Sequence, residues 1–247
     1  MASLGELTAG IAHEIKNPLN FVNNFSDVTR ELVVEMIEEL KKGDTEEADA
    51  IGQDVIQNLE KIVHHGQRAD SIVRGMLQHS SSGDGKKEPT DLNNLADEYL
   101  RLAYHGLRAK DKSFNAGMET DFDPDLPEVK VVPQDIGRVL LNLLTNAFHA
   151  VSDRKRKVPE GFEPTVWVKT RKTENSIEIS VRDNGGGIQE EIKDKIFQPL
   201  FTTKPTGEGT GLGLSMSYDI VTKGHGGQLT MKSNIGEGTE FLITLPV

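Results

Sequence analysis

Two groups of residues in this 247-residue chain have the types and spacing that chemistry uses. The first is the run Ala12-His13-Glu14-Ile15-Lys16-Asn17-Pro18-Leu19-Asn20, in which a histidine is followed at once by an acid and, one helical turn later, by an asparagine and a proline. Taken alone, this run leaves two readings open: an ordinary polar helix face, or a local geometry that serves a reaction. A zinc-protease helix is excluded, because H-E-x-x-H requires a second histidine at position 17, where an asparagine stands. His64 and His65 are adjacent and point about 100° apart on a helix, so they read as surface residues rather than a ligand pair.

The second group lies a hundred residues later and has three parts. In Leu141-Asn142-Leu143-Leu144-Thr145-Asn146-Ala147, two amides four residues apart share one face of an otherwise apolar helix. In Val181-Arg182-Asp183-Asn184-Gly185-Gly186-Gly187-Ile188, an acid ends a strand and three glycines follow, where close backbone approach and positive φ are allowed. In Gly207-Glu208-Gly209-Thr210-Gly211-Leu212-Gly213-Leu214-Ser215, glycines alternate and then open a helix, whose first amides suit phosphate oxygens. Each part alone also reads as an ordinary polar pair or turn. Neither G-x-x-x-x-G-K-[ST] nor G-x-G-x-x-G is present, so any phosphate cradle here is of another kind.

These residues must be held by two regions of different character. From Ser3 to Lys42, apolar residues recur in steps of three and four at Leu4, Leu7, Ile11, Ile15, Val22, Phe25, Val28, Leu32, Met36 and Leu40. That is one stripe on a helix roughly 60 Å long. Gly43-Asp44 breaks the pattern, and Asp44 with Glu47 forms a capping-box signature for a second helix carrying Ile51, Val55, Leu59, Ile62, Ala69, Ile72 and Met76. The pair predicts an antiparallel hairpin, which cannot shield both stripes by itself; a second copy completing a four-helix bundle would. Residues 82–90 read as a linker between a hairpin over 1–81 and an α/β domain over 91–247. In that domain, helices are expected at Asp91 to Lys110 and Pro133 to Lys155, strands at 165–171 and 177–183, a helix from near Leu214, and a closing hairpin at 228–233 and 239–245. The strands cluster late and do not alternate with helices, which argues against a doubly wound fold.

Composition excludes other classes. With 28 basic against 39 acidic residues, the net charge of −11 repels nucleic acid and anionic membranes. The basic run Arg154-Lys155-Arg156-Lys157 reads as a solvated loop after a helix. No cysteine is present, so disulfides and thiolate metal sites are excluded. No apolar stretch approaches the ~18 residues that span a bilayer.

Together, the Asn142–Asn146, Asp183–Gly187 and Gly207–Gly213 stretches resemble the ordered boxes of the ATP-binding domain shared by gyrase, MutL-type proteins and sensor histidine kinases, and Ile196-Phe197-Gln198-Pro199-Leu200-Phe201 resembles the box between the last two. The resemblance implies a Bergerat-type α/β sandwich with a mixed sheet. By position it implies Asn146 as the Mg²⁺ ligand, Asn142 near metal and phosphates, Asp183 as acceptor of the adenine amino group, and Thr239 beside the base. Gly185 and Gly187 would let the backbone approach the nucleotide. Thr202, Thr203, Lys204, Gly209, Thr210, Gly211, Leu212 and Gly213 would belong to a lid over the phosphates. Mg²⁺ takes oxygen ligands and keeps several waters, so one amide oxygen beside three phosphates suffices. In one departure, many relatives carry Lys or Arg three residues after the metal asparagine; here the residue is His149, a pH-dependent phosphate contact, with Lys204 able to supply the missing charge.

Beside such a domain, the His13 run resembles the phosphoacceptor box of HisKA-type sensor histidine kinases. That resemblance makes His13 the nucleophile, Glu14 the base for its proton, and Asn17 the residue that orients a water for dephosphorylating a partner. The expected whole is a multidomain, homodimeric kinase core that uses ATP and Mg²⁺ and passes phosphate to the receiver domain of a response regulator. No nucleic acid or membrane contact is expected within this chain. Its location would be cytoplasmic, including as the cytoplasmic portion of a longer sensor. Its rivals are an ATP-driven conformational clamp of the gyrase or MutL type, and a degenerate kinase serving as scaffold. The clamp predicts hydrolysis without a phosphoprotein; the scaffold requires loss of metal or lid residues that are present here.

Overall fold

A computed structural model of the protein describes residues 4–80, 85–158, 160–204, 209 and 211–247; the side chains of 4–11, 13, 14, 71, 72 and 74–80 lie outside the description. The chain forms two compact units, the first holding two long helices and the second all remaining helices and strands.

In the first unit, helix α1 (Leu4–Lys42) and helix α2 (Thr45–Ser80) make the expected hairpin. The turn between them is a Schellman motif. Gly43 adopts φ +83°, its N–H donates to the Leu40 carbonyl at 3.2 Å, and the Asp44 N–H reaches the Glu39 carbonyl at 3.0 Å. Asp44 then caps α2 by accepting from the Glu47 N–H at 3.1 Å. Helix α1 continues without a break through Pro18, whose ring is buried. Ala48, Ile51 and Ala69 are buried between the helices, while Val28, Val34, Ile37, Leu40, Ile56, Leu59 and Val63 stay exposed. His65 departs from its expected surface role. Its ring stacks on Phe21 at 4.6 Å between centroids and lies 6.1 Å from Phe25, and burial lowers its pKa, as do the charges of His64 and Arg68.

The second unit is a two-layer sandwich. Its elements are β1 (Glu88–Thr90), α3 (Leu92–Lys110), β2 (Gly117–Asp121), β3 (Val129–Val131), α4 (Pro133–Lys157), β4 (Thr165–Lys172), β5 (Ser176–Asp183), α5 (Glu190–Lys193), α6 (Gly213–Asp219), β6 (Gln228–Asn234) and β7 (Gly238–Pro246). The sheet order is β2-β4-β5-β7-β6; β2 and β4 run parallel and every other pairing is antiparallel, so the sheet is mixed as expected. β1 and β3 pair separately, antiparallel. Of the expected linker, residues 82–84 lie outside the description, and the last three residues are strand β1.

Strand alternation sends one side of the sheet inward: Val166 and Val168 from β4, Ile177, Ile179 and Val181 from β5, and Phe241, Ile243 and Leu245 from β7. Against them pack Leu140, Leu143, Leu144, Ala147, Phe148 and Val151 of α4 and Leu92, Ala96 and Leu100 of α3. The opposite side is polar. There Trp167 donates to Glu119 at 2.6 Å, and the Arg182 guanidinium lies 5.3 Å from its ring. Helix α3 is capped by Asp91, which accepts from the Asn93 and Asn94 N–H groups. At the other end of the core, buried His225 accepts the Val132 N–H, which precedes α4, at 3.0 Å through Nε2. Its Nδ1 lies 2.9 Å from the Ile220 carbonyl and so carries the ring proton. The basic run 154–157 is the last turn of α4, not a loop. Among the described residues, no helix is long and apolar enough to cross a membrane.

Candidate functional site

Strand β5 ends in Asp183, directly opposite Thr239 of β7. Both side chains are buried. One Asp183 oxygen accepts the Gly185 N–H at 2.7 Å. Burial pushes the Asp183 carboxyl up from its ordinary 3.8 to about 6, only partly offset by hydrogen bonds from the Gly185 and Thr239 backbone and by the charge of Arg182. A buried carboxylate at the open end of a strand, whose oxygens each accept more than one hydrogen bond, can read a ligand's amino group.

Behind Thr239 stands a residue the sequence did not flag. The Ser233 hydroxyl lies 2.9 Å from Thr239 Oγ1, donates to the Gly238 carbonyl at 3.0 Å, and receives the Ile188 N–H at 2.9 Å. It ties the glycine turn after β5 to the β6–β7 hairpin and sets the threonine in place. A serine at an inward strand position, flanked by alternating apolar residues, is the only local signal for it.

Two of the three glycines after Asp183, Gly185 and Gly187, serve the protein's own packing. Gly187 has φ +75°, and a side-chain carbon there would stand 2.1 Å from the Asn234 carbonyl. At Gly185 it would lie 2.6 Å from the Ala150 side chain of α4. Close approach to α4 and the hairpin requires these glycines before any nucleotide is considered.

Helix α4 carries Asn142, Asn146 and His149 along one side, each half-buried. Asn142 is also a structural tie. Its Nδ2 donates to the Gly213 carbonyl at 3.2 Å and to the Ser217 hydroxyl at 3.3 Å, joining α4 to the first turn of α6. With that nitrogen engaged, the amide oxygens of Asn142 and Asn146 are the donors this side of α4 offers a cation. Among the described residues no group of His, Cys, Asp and Glu could hold a metal ion. Amide oxygens are the donor type that a hard cation arriving with phosphate oxygens accepts.

The loop expected as a lid is pinched at its base. Pro199 and Leu200 occupy the centre of a turn closed by the Phe201 N–H and the Gln198 carbonyl at 3.3 Å, and Leu200 takes φ +67°, strained for leucine. Gly211, at φ +66°, faces it so closely that a side-chain carbon would lie 2.3 Å from the Leu200 carbonyl carbon. Leu212 and Gly213 follow directly, Leu212 buried and Gly213 opening α6. Within the loop, Thr202 Oγ1 accepts the Lys204 N–H at 3.1 Å, Thr203 is exposed, and Gly209 lies close to Thr202. Thr210 lies outside the described residues.

The structure thus brings Asp183, Gly185 and Thr239 together and joins Asn142 to Gly213. His13, Glu14 and Asn17 lie on α1 in the other unit. The Asn17 side chain is half-buried; those of His13 and Glu14 lie outside the description.

Comparison with known proteins bears on both units. Residues 131–247 match the family described as histidine kinase-, DNA gyrase B-, and HSP90-like ATPase, and residues 3–85 match the His Kinase A (phospho-acceptor) domain. The chain is 28% identical over 246 residues to the sensor protein FixL of Bradyrhizobium diazoefficiens, covering all of this chain and 44% of that protein. It is 31% identical over 247 residues to the sensor histidine kinase ZraS of Escherichia coli, again over its whole length and 46% of the relative. The chain thus spans less than half the length of these curated relatives. A crystal structure of histidine kinase ThkA in complex with response regulator protein TrrA is similar over 98% of this chain and 61% of that one, with TM-score 0.61 and 26% identity. The nucleotide-free catalytic domain of ThkA matches 65% of this chain and 95% of that one, with TM-score 0.52 and 29% identity.

Proposed function

This chain belongs to the two-component sensor histidine kinases, and from that premise we propose that it transfers the γ-phosphoryl group of ATP to His13 and then to an aspartate of a response regulator. The observation that carries the reading is the buried Asp183 carboxylate opposite Thr239, in a unit that follows a helical hairpin with the His13–Pro18 run. Asp183 accepts the adenine amino group through the oxygen it does not use for Gly185. Asn146 supplies an amide oxygen to Mg²⁺, and Asn142 holds the start of α6 so that its first amides meet the phosphates. Mg²⁺, when bound, offsets the charge of the phosphates through their oxygens. Thr202, Thr203, Lys204 and the stretch Gly209 to Gly213 close over the phosphate chain, with His149 and Lys204 as its cationic contacts.

In the first step, the bond from the γ-phosphorus to the bridging oxygen of ADP breaks, a bond to an imidazole nitrogen of His13 forms, and ADP leaves. Glu14 takes the proton from the other ring nitrogen. Positioning and charge stabilisation do most of the catalytic work. In the second step the phosphorus–nitrogen bond is exchanged for a phosphorus–oxygen bond on the regulator aspartate. Asn17 serves the opposing hydrolytic step by orienting water against that aspartyl phosphate, which breaks the bond to the aspartate and releases inorganic phosphate. The ThkA–TrrA complex supports a regulator as partner. The exposed apolar residues of α1 and α2 support a homodimer in which a second hairpin covers them. Dependence on ATP supports a cytoplasmic location.

Incubation with γ-labelled ATP should leave an acid-labile, base-stable phosphate on the protein, and His13→Ala should abolish it. Label persisting in that variant would overturn the assignment, as would release of free phosphate with no labelled protein.

A further inference from the structure

Arg154 stands in the basic run that ends α4, yet its side chain turns back onto the protein. Nη1 donates to the Asn184 carbonyl at 2.7 Å and to the Gly185 carbonyl at 3.2 Å, and the guanidinium lies 4.5 Å from the Phe162 ring. These carbonyls belong to the turn that immediately follows Asp183. The Asn184 carbonyl and the Gly185 N–H form one planar peptide unit, and that N–H is the donor to Asp183 Oδ1 at 2.7 Å. A permanent cation therefore holds one end of a rigid peptide, and the Asp183 carboxylate is held by the other. Charge at the carbonyl oxygen also polarises the amide and strengthens its N–H as a donor. Around this peptide, Asn184 adds two fixings to the start of β4, accepting from the Thr165 N–H at 2.9 Å and donating to the Glu163 carbonyl at 2.8 Å.

We propose that Arg154 is a positioning residue for base recognition: through the Asn184–Gly185 peptide it fixes which Asp183 oxygen is occupied and aims the other at the amino group of adenine. This rests on the reading of Asp183 as the base-binding carboxylate. Arg154 touches neither phosphates nor metal in this scheme, so it acts on binding and selectivity rather than on phosphoryl transfer. The stack distinguishes guanidinium from ammonium: one nitrogen, Nη1, serves both carbonyls while the planar group lies over the Phe162 ring, and a lysine ammonium is a point charge that does not stack in this way.

Nucleotide affinity is measured by titration calorimetry with ATP and GTP on wild type, Arg154→Ala and Arg154→Lys, with autophosphorylation rates followed against ATP concentration. In Arg154→Ala, ATP affinity should fall about tenfold, because the two hydrogen bonds of Arg154 lie within the protein and only their hold on the Asp183 geometry is lost to binding. The preference for ATP over GTP should narrow, the KM for ATP should rise, and the rate at saturating ATP should hold. Arg154→Lys should recover only part of the affinity, and added guanidinium ion at low millimolar concentration should restore Arg154→Ala further. Wild-type affinities and selectivity in Arg154→Ala would overturn the inference alone, as would a loss equal for ATP and GTP that tracks a lowered melting temperature. A wild-type chain with no ATP affinity would overturn the nucleotide reading and this inference with it.

Discussion

Asp183 is held in a state that costs the fold something. Its carboxyl titrates at about 6 in the folded protein against 3.8 ordinarily, because burial disfavours the charge. The folded form therefore binds the proton more tightly than the unfolded form, and stability falls as pH rises from about 4 through about 6. At neutral pH the buried charge costs roughly 3 kcal/mol. Asp183→Asn keeps an oxygen for the Gly185 N–H and removes the charge. It should raise the thermal midpoint at pH 7 by several degrees, lose that advantage below about pH 4, and bind ATP far more weakly. Melting curves at the two pH values together with nucleotide titration check this; an unchanged midpoint at pH 7 would show that the carboxylate is not strained. Arg154 illustrates why such detail stayed out of reach of the sequence. Its partners are 30 and 31 residues away, and a basic run beside a helix end carries no mark of which member folds inward.

At the scale of elements, the sandwich depends on a few polar ties between helices that apolar patterning cannot supply. His225 is one of them. It closes the π-helical turn Ile220–Gly224 onto the residue before α4, satisfying one buried N–H and one carbonyl. His225→Ala leaves both unsatisfied and should cost about 2–4 kcal/mol, read as a lower urea midpoint of the sheet-containing unit. A loss under half a kcal/mol, about that of a neutral surface change, would mean that the site relaxes around water. The elements legible in advance were those with a long period or clean alternation: α1, α2, α3, α4, β4, β5 and the closing hairpin. β1, β2 and β3 were not. β1 is three residues with a proline at its centre, β3 is three residues with prolines nearby, and every residue of Gly117–Asp121 is exposed, so no alternation exists to be seen. Likewise the glycines after Asp183 were legible as glycines, but Asn234 and Ala150, which demand them, lie far along the chain. His65 departs from expectation for the same reason: Phe21 and Phe25 come from the other helix.

For the molecule as a whole, the uncovered stripe of the hairpin is the feature that asks for a second copy. Lysines at Ile56 and Val63 place two charges where that copy would bury its own apolar residues, which is costly without partners. The double variant should sediment as a monomer and the wild type as a dimer, and the variant should keep ATP affinity, since Asp183 and Thr239, the residues proposed to hold the base, lie in the other unit. A dimer surviving both lysines would move the interface elsewhere. The chain also carries its own optical label. It has a single tryptophan, Trp167, set between Glu119 and Arg182 on the polar side of the sheet. The hairpin supplies 39 and 36 helical residues and no indole at all. Intrinsic fluorescence therefore watches only the sandwich unfold, whereas circular dichroism at helical wavelengths is weighted toward the hairpin. Wherever the two curves separate, a single melting temperature ceases to describe this protein, and comparison of variants has to be made unit by unit.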